Sequence, residues 1–189
     1  MEKSANTQYP ISSLLAKRWS PRSFNNKKEI SQEVINSLFE ASRWSASASN
    51  IQPWQFIYGL RGDHTFKTIT DSLVEFNQLW APEASMLFVV LGNELTPNGQ
   101  HNSSYQYDCG AAVASLTFEA TERGLFVHQM AGFSPEAISK SFHLPENIKP
   151  LVVVAVGYLD ESEKLHPNLI DMEKATRIRK EISEFIFNK

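Results

Sequence analysis

Leu151-Val152-Val153-Val154-Ala155-Val156-Gly157-Tyr158 is an apolar, largely β-branched run of strand length, of the kind that packs inside a sheet. Three more short runs share that character: Gln55–Tyr58 (QFIY), Met86–Leu91 (MLFVVL) and Leu125–Gln129 (LFVHQ), so four core strands are predicted. Between the second and third, residues 108–123 carry Cys109, Ala112, Val113, Leu116 and Ala120 at spacings of three and four, and Gly124 stops this long central helix. A helix ending near Arg43 is predicted from Ser31, which can cap Val34, and from the stripe Val34, Ile35, Leu38, Phe39. Further helices are expected over Asp63–Trp80, entered through an aspartate cap, and over Ser134–Phe142, with a serine cap and a first-turn proline. No strand is followed by a glycine-rich GxGxxG turn, which disfavours a doubly wound dinucleotide fold. The pattern points instead to an α+β arrangement, a small sheet covered by helices, with the polar loop Gly92–Tyr107 over the top.

At 189 residues with 42% apolar side chains, one domain spanning 1–189 with a sizeable core is expected, with no linker and no internal repeat. Eighteen basic against 21 acidic side chains, with no basic block, argue against nucleic acid as a partner. The single cysteine, Cys109, and five scattered histidines show no CxxC or HExxH spacing, so no metal site is indicated. No run approaches the roughly 20 apolar residues of a membrane span, and the first residues lack the apolar stretch of a signal peptide, so a cytoplasmic, non-membrane protein is expected. The final stretch, 171–189, combines charge with Ile182, Phe185, Ile186 and Phe187, an apolar end that a partner subunit could cover.

Two clusters carry possible chemistry. Arg18-Trp19-Ser20-Pro21-Arg22 flanks a serine hydroxyl with two arginines, and a proline limits the backbone. A phosphate monoester, with about two negative charges, pairs well with planar guanidinium groups. Arg177 and Arg179 fall on one side if their segment is extended, so four arginines could meet one anion; ordinary solvated arginines are the open alternative. The second cluster, residues 44–56, sets Ser47, Asn50 and Gln52 before an aromatic strand, donors and acceptors suited to the edge of a planar heterocycle. By composition alone a polar helix-to-strand loop is the simpler reading.

Arg-x-Ser-x-Arg followed some thirty residues later by Ser-x-x-Asn-x-Gln-Pro-Trp resembles the nitroreductase family of FMN-dependent oxidoreductases. The resemblance continues through Asp108-Cys109-Gly110-Ala111-Ala112, Glu122-Arg123-Gly124-Leu125, Met130-Ala131-Gly132-Phe133, Pro150–Tyr158 and the Arg-x-Arg near the end, nearly the whole chain. It implies a small, mostly antiparallel sheet covered by helices on both faces, in a homodimer. It further implies that Arg18, Ser20, Arg22 and the Trp19 backbone hold the phosphate and ribityl end of FMN, with Arg177 and Arg179 as a distal clamp. Asn77 is similar to the family asparagine at the pyrimidine side of the isoalloxazine ring. The Ala131 and Gly132 amides resemble contacts to flavin N5 and O4, where donors stabilise the reduced anion. Without the resemblance, Gly132 reads as a simple chain turn. Met130 falls beside the ring or in the core. Ser47, Asn50 and Gln52 belong to a loop that would reach the flavin bound mainly by the other subunit, placing the sites at the dimer interface.

The implied reaction is ping-pong hydride transfer from NADH or NADPH through FMN to a small-molecule acceptor such as a nitroaromatic, a quinone or a related electrophile. No catalytic acid or base is required; Asp108 is expected to cap the central helix and Cys109 to be a buried core residue. Alternatives are a flavin-dependent dehydrogenase or dehalogenase of one metabolite and a non-catalytic FMN-binding module. The sequence departs from the family at Ala46, where many members have proline, and at Trp19, in place of a basic residue or tyrosine. Being short, the chain would rely on the Gly92–Tyr107 loop, with His101, Tyr105 and Tyr107, as its lid.

Overall fold

The structure is a computed structural model that describes residues 3–187. Its helices are α1 (Ser13–Lys17), α2 (Gln32–Arg43), α3 (His64–Asp71), α4 (Glu75–Gln78), α5 (Tyr105–Glu122), α6 (Pro135–Ser141) and α7 (Pro167–Lys174). Its strands are β1 (Trp54–Leu60), β2 (Met86–Asn93), β3 (Phe126–Met130) and β4 (Ile148–Gly157). The strands form one sheet in the order β1-β2-β4-β3, and all three pairings are antiparallel.

The central strands are apolar over Met86–Gly92 and Leu151–Gly157 because both faces of the sheet are covered there. Leu87, Val89, Leu91, Val153 and Ala155 pack on one face with Phe66 and Ile69 of α3, Ile138 of α6 and Leu169 of α7. Met86, Phe88, Val90, Val154 and Val156 pack on the other with Ile35 and Leu38 of α2 and Cys109, Val113 and Leu116 of α5. Two cores thus sandwich a four-stranded sheet, the α+β arrangement expected. The caps behave as read: Ser31, Asp63 and Ser134 accept from the amides of Val34, Phe66 and Ala137. Gly124, at φ 71°, ends α5 in the left-handed conformation. Among the described residues no helix is long and apolar enough to cross a membrane.

Three expectations are corrected. The helix expected over Asp63–Trp80 is two helices, because at Ser72–Val74 the chain pairs with the segment after β3: the Ser134 amide donates to Ser72 O, the Val74 amide to Gly132 O, and Leu73 bridges Phe133. Asp108 does not cap α5. The helix begins at Tyr105, with Ser104 in the capping position, and Asp108 is buried in its first turn. The polar loop is also shorter than expected, since Gly92 and Asn93 belong to β2 and Tyr105 and Tyr107 to α5. What lies between folds back on itself through a Leu95–His101 bridge and a turn closed by the Thr96 amide on Gln100 O, 2.7 Å.

After α7 the chain runs extended through Arg177 and Arg179 to a short 3-10 turn at Ile182–Glu184. Ile178, Phe185, Ile186 and Phe187 are exposed there. Met1, Glu2, Asn188 and Lys189 lie outside the described residues.

Candidate functional site

Trp19 is buried edge-on against Phe126 at 6.1 Å, with Lys3 Nζ 4.7 Å from its ring. Anchoring this side chain in the core leaves its neighbours Arg18 and Ser20 to face outward. They line a cavity of about 240 Å3 together with Lys3, Arg22, Arg177 and Arg179, so the four arginines picked out from the sequence do converge.

The charge there is unbalanced. Among the described residues none of the four arginines is in an ion pair. Burial lowers the pKa of Arg18 and Arg177, and Arg179 beside both lowers it further. Arg177 Nη1 donates to the carbonyls of Lys3 (2.6 Å) and Ala16 (2.8 Å), tying the N-terminal segment to the tail. Arg22 Nε is buried without a hydrogen-bond partner among the described residues. An orphaned guanidinium donor in a cavity of uncompensated cations fits an anion such as a phosphate ester. The one carboxylate lining it, Glu173, accepts from backbone amides.

A second group adjoins the first. The Arg22 guanidinium lies over the Phe76 ring at 5.8 Å, and Phe76 precedes Asn77 on α4. Asn77, 8% exposed, donates from Nδ2 to Gly132 O at 2.9 Å, so the break after α3 brings together two residues that the family resemblance had singled out. Gly132 is needed for close approach and not for a turn. Its φ is ordinary, but an added Cβ would lie 2.8 Å from Asn77 Nδ2 and 2.9 Å from Val74 Cγ2. Met130 is buried in the core at 3% exposure, which leaves Ala131 and Gly132 as the accessible part of this segment. Outside the strand ladder neither of their amides donates to a protein acceptor among the described residues.

The Ser47–Gln52 loop makes no hydrogen bond to either group. Ser47 Oγ accepts from the Gln52 amide at 3.0 Å, Gln52 Nε2 donates to Asn50 O at 3.1 Å, and the Ala48 amide donates to the buried Asp108 carboxylate at 3.1 Å. Ser49, Asn50 and Gln52 all have φ between 51° and 54°, a left-handed conformation that non-glycine residues adopt at a cost of about 1–3 kcal/mol each. Exposed Asn50 and Gln52 are thus held in a strained, fixed loop.

The remaining candidates for chemistry are structural. Burial pushes the Cys109 thiol up to about 12. Burial also holds His128 down to about 4, its Nδ1 lying 2.8 Å from Pro21 O and its ring 4.4 Å from Trp80. Sequence reading missed Glu173, Phe76 and Lys3. Glu173 stands four residues before Arg177, a spacing that suggests a solvated helix pair, and Phe76 fell inside the helix expected over Asp63–Trp80 with nothing to set it apart.

The sequence model of the Nitroreductase family matches residues 15–90 and 60–158 of the chain. The chain belongs to the nitroreductase family. The match takes in Arg18–Arg22, the Ser47 loop, Asn77 and Met130–Gly132, and ends before Arg177. The major NAD(P)H-flavin oxidoreductase of Aliivibrio fischeri is 32% identical over 212 residues, covering 88% of this chain and 95% of that protein. A crystal structure described as an oxidoreductase containing FMN superposes with a TM-score of 0.89 at 29% identity, over 96% of this chain and 93% of the other. A nitroreductase-like protein from Streptococcus mutans, with a TM-score of 0.74 at 18% identity over 93% and 96% of the two chains, shares the fold.

Proposed function

We propose that this nitroreductase-family chain is an NAD(P)H-dependent oxidoreductase that binds FMN and reduces nitroaromatics, quinones or related conjugated electrophiles in alternating half-reactions. The observation that carries the reading is the cavity of uncompensated arginines with its orphaned Arg22 Nε, joined through Phe76 to the Asn77–Gly132 pair. The names of the Aliivibrio fischeri relative and the FMN-containing structure supply the cofactor and the donor.

FMN, when bound, supplies two-electron chemistry between a reduced nicotinamide and an acceptor. Arg18, Ser20, Arg22, Arg177 and Arg179 would hold its phosphate. Asn77 and the amides of Ala131 and Gly132 would hold the ring, fixed donors that favour negative charge developing there. Gly132 keeps that segment free of a side chain, and Asn77 clamps its carbonyl. No side chain is called on to move a proton.

The Ser47–Gln52 loop is read as the contribution of a second subunit, because it stands apart from the arginine cavity and presents Asn50 and Gln52 outward. The exposed Ile178, Phe185 and Phe187 offer apolar surface for the same homodimer.

An absorbance spectrum of the purified protein, followed by anaerobic NADPH and then NADH, tests the reading. Flavin bands that bleach with either donor and return on adding a nitroaromatic or a quinone support it. A colourless protein that FMN cannot reconstitute overturns it, and bound flavin that resists both donors leaves a binding module. Light scattering that gives an FMN-loaded monomer would refute the shared site.

A further inference from the structure

The loop that carries Arg18, Ser20 and Arg22 is braced from three sides. From β3, His128 Nδ1 meets Pro21 O at 2.8 Å. From the exit of β4, the Asp160 amide donates to Ser23 O at 3.1 Å, and Ser23 Oγ donates to Glu161 O at 2.7 Å. From α7, the Glu173 carboxylate accepts the Arg22 amide on both oxygens, at 3.1 and 3.0 Å, and the Ser23 amide on Oε1 at 3.2 Å. Of these braces only Glu173 touches the backbone of Arg22 itself.

Glu173 is 3% exposed and lines the arginine cavity, yet among the described residues none of the cations around it pairs with its carboxylate within ion-pair distance. Lys3 Nζ donates to its backbone carbonyl instead. A buried carboxylate facing a site for an anion is electrostatically unfavourable to that anion. Its contribution must therefore come from geometry. By taking up two backbone amides it fixes the Arg22–Ser23 peptide, and Arg22, which lines the cavity, has a buried Nε without a hydrogen-bond partner among the described residues.

We propose that Glu173 is a positioning residue of the phosphate site: its carboxylate, carried on α7, orients the Arg18–Arg22 loop so that the guanidinium groups meet the phosphate of the flavin. This rests on the phosphate reading given above. Charge and position make opposite predictions for its removal, which separates them. If Glu173 acted through charge, neutralising it would tighten binding of a phosphate ester. Acting through position, its loss weakens that binding and leaves a flavin without phosphate unaffected.

The test titrates the full-length chain, stripped of flavin, with FMN and separately with riboflavin, following flavin fluorescence. In the wild type FMN should bind more tightly than riboflavin. In Glu173→Gln the FMN affinity should fall about tenfold or more, because an amide presents one acceptor and a donor that opposes the backbone N–H groups, while riboflavin affinity stays within about twofold. Glu173→Asp keeps the charge but shortens the reach by one methylene; it should show the same selective loss, and it decides alone if Glu173→Gln does not fold. FMN affinity that is unchanged or improved in these variants overturns the proposal. So does a parallel loss for both flavins, which would make Glu173 merely structural. A wild type that binds FMN no better than riboflavin refutes the phosphate reading before any variant is made, and the role of Glu173 with it.

Discussion

Gly132→Ala tests whether the Asn77–Gly132 contact organises the site. An alanine Cβ at this position would lie 2.8 Å from Asn77 Nδ2 and 2.9 Å from Val74 Cγ2, whereas apolar contacts settle at about 3.5–4.0 Å. Both neighbours must recede by roughly an ångström, and the 2.9 Å hydrogen bond from Asn77 to Gly132 O is lost or lengthened. Overpacking of this kind destabilises by about 1–3 kcal/mol, and the lost hydrogen bond by about 0.5–1.5 kcal/mol. Because the Gly132 φ lies outside the left-handed region, alanine returns about 0.4–1 kcal/mol through a less disordered unfolded chain. The net expectation is a loss of about 0.5–4 kcal/mol, a fall in Tm of roughly 2–4 °C per kcal/mol in a chain of this size. Repeating the substitution in an Asn77→Ala background removes one of the two clashing groups, so Gly132→Ala should then be milder by about 1 kcal/mol. Thermal unfolding of the four proteins completes the cycle. A cost below about 0.5 kcal/mol, or the same cost in both backgrounds, would refute the reasoning.

Arg179→Ala should weaken FMN binding by about 1.5–3 kcal/mol, the range for hydrogen bonds to charged groups, with little change in Tm, since its described partner is the adjacent Ile178 O. Arg177→Ala should weaken FMN binding and also lower Tm, because it releases the carbonyls of Lys3 and Ala16; equal thermal behaviour of the two variants would contradict that division. Asp108→Ala should leave the Ala48 amide unpaired and loosen the strained loop, seen as faster proteolysis between Trp44 and Gln52 and a stability loss of about 1–3 kcal/mol in thermal unfolding. His128 is held neutral in the fold, its pKa down at about 4 against an ordinary 6.5. The unfolded chain therefore takes up a proton that the folded chain refuses as pH falls from 6.5 toward 4. Stability present above pH 6.5 should decline across that window by on the order of 3 kcal/mol. Tm measured against pH in the wild type and in His128→Gln, which should flatten the upper part of that decline, checks it.

The sheet was legible because strands with two covered faces leave a continuous apolar signature. Met86–Leu91 and Leu151–Gly157 can be buried in only a few ways, and their neighbours Gln55–Tyr58 and Phe126–Gln129 complete one sheet. The arginines were legible only with the family resemblance, since spacing alone left solvated side chains equally open and it is the fold that brings Arg18, Arg22, Arg177 and Arg179 to one cavity. Glu173 was not, since nothing local marks a carboxylate whose partners, the amides of Arg22 and Ser23, lie 150 residues away. Asp108 misled for the opposite reason. It precedes the apolar stripe as a cap should, but its carboxylate takes the Ala48 amide, a contact 60 residues distant, and the helix runs on for another turn toward Ser104.

The interruption of the Asp63–Trp80 helix shows most directly why periodicity alone falls short of the site. Phe66, Ile69, Leu73, Asn77 and Trp80 keep a spacing of three and four, so every local signal favours continuation. Three tertiary contacts override it: Val74 to Gly132 O, Ser134 to Ser72 O, and the Leu73–Phe133 bridge. Their energy must exceed the helix hydrogen bonds forgone at Ser72–Val74, each worth about 1 kcal/mol net. An uninterrupted helix would direct α4 along a different line and would carry Asn77 away from Gly132 and Phe76 away from Arg22. The break that defeats the sequence pattern is therefore the feature that assembles the ring end of the site beside its phosphate end.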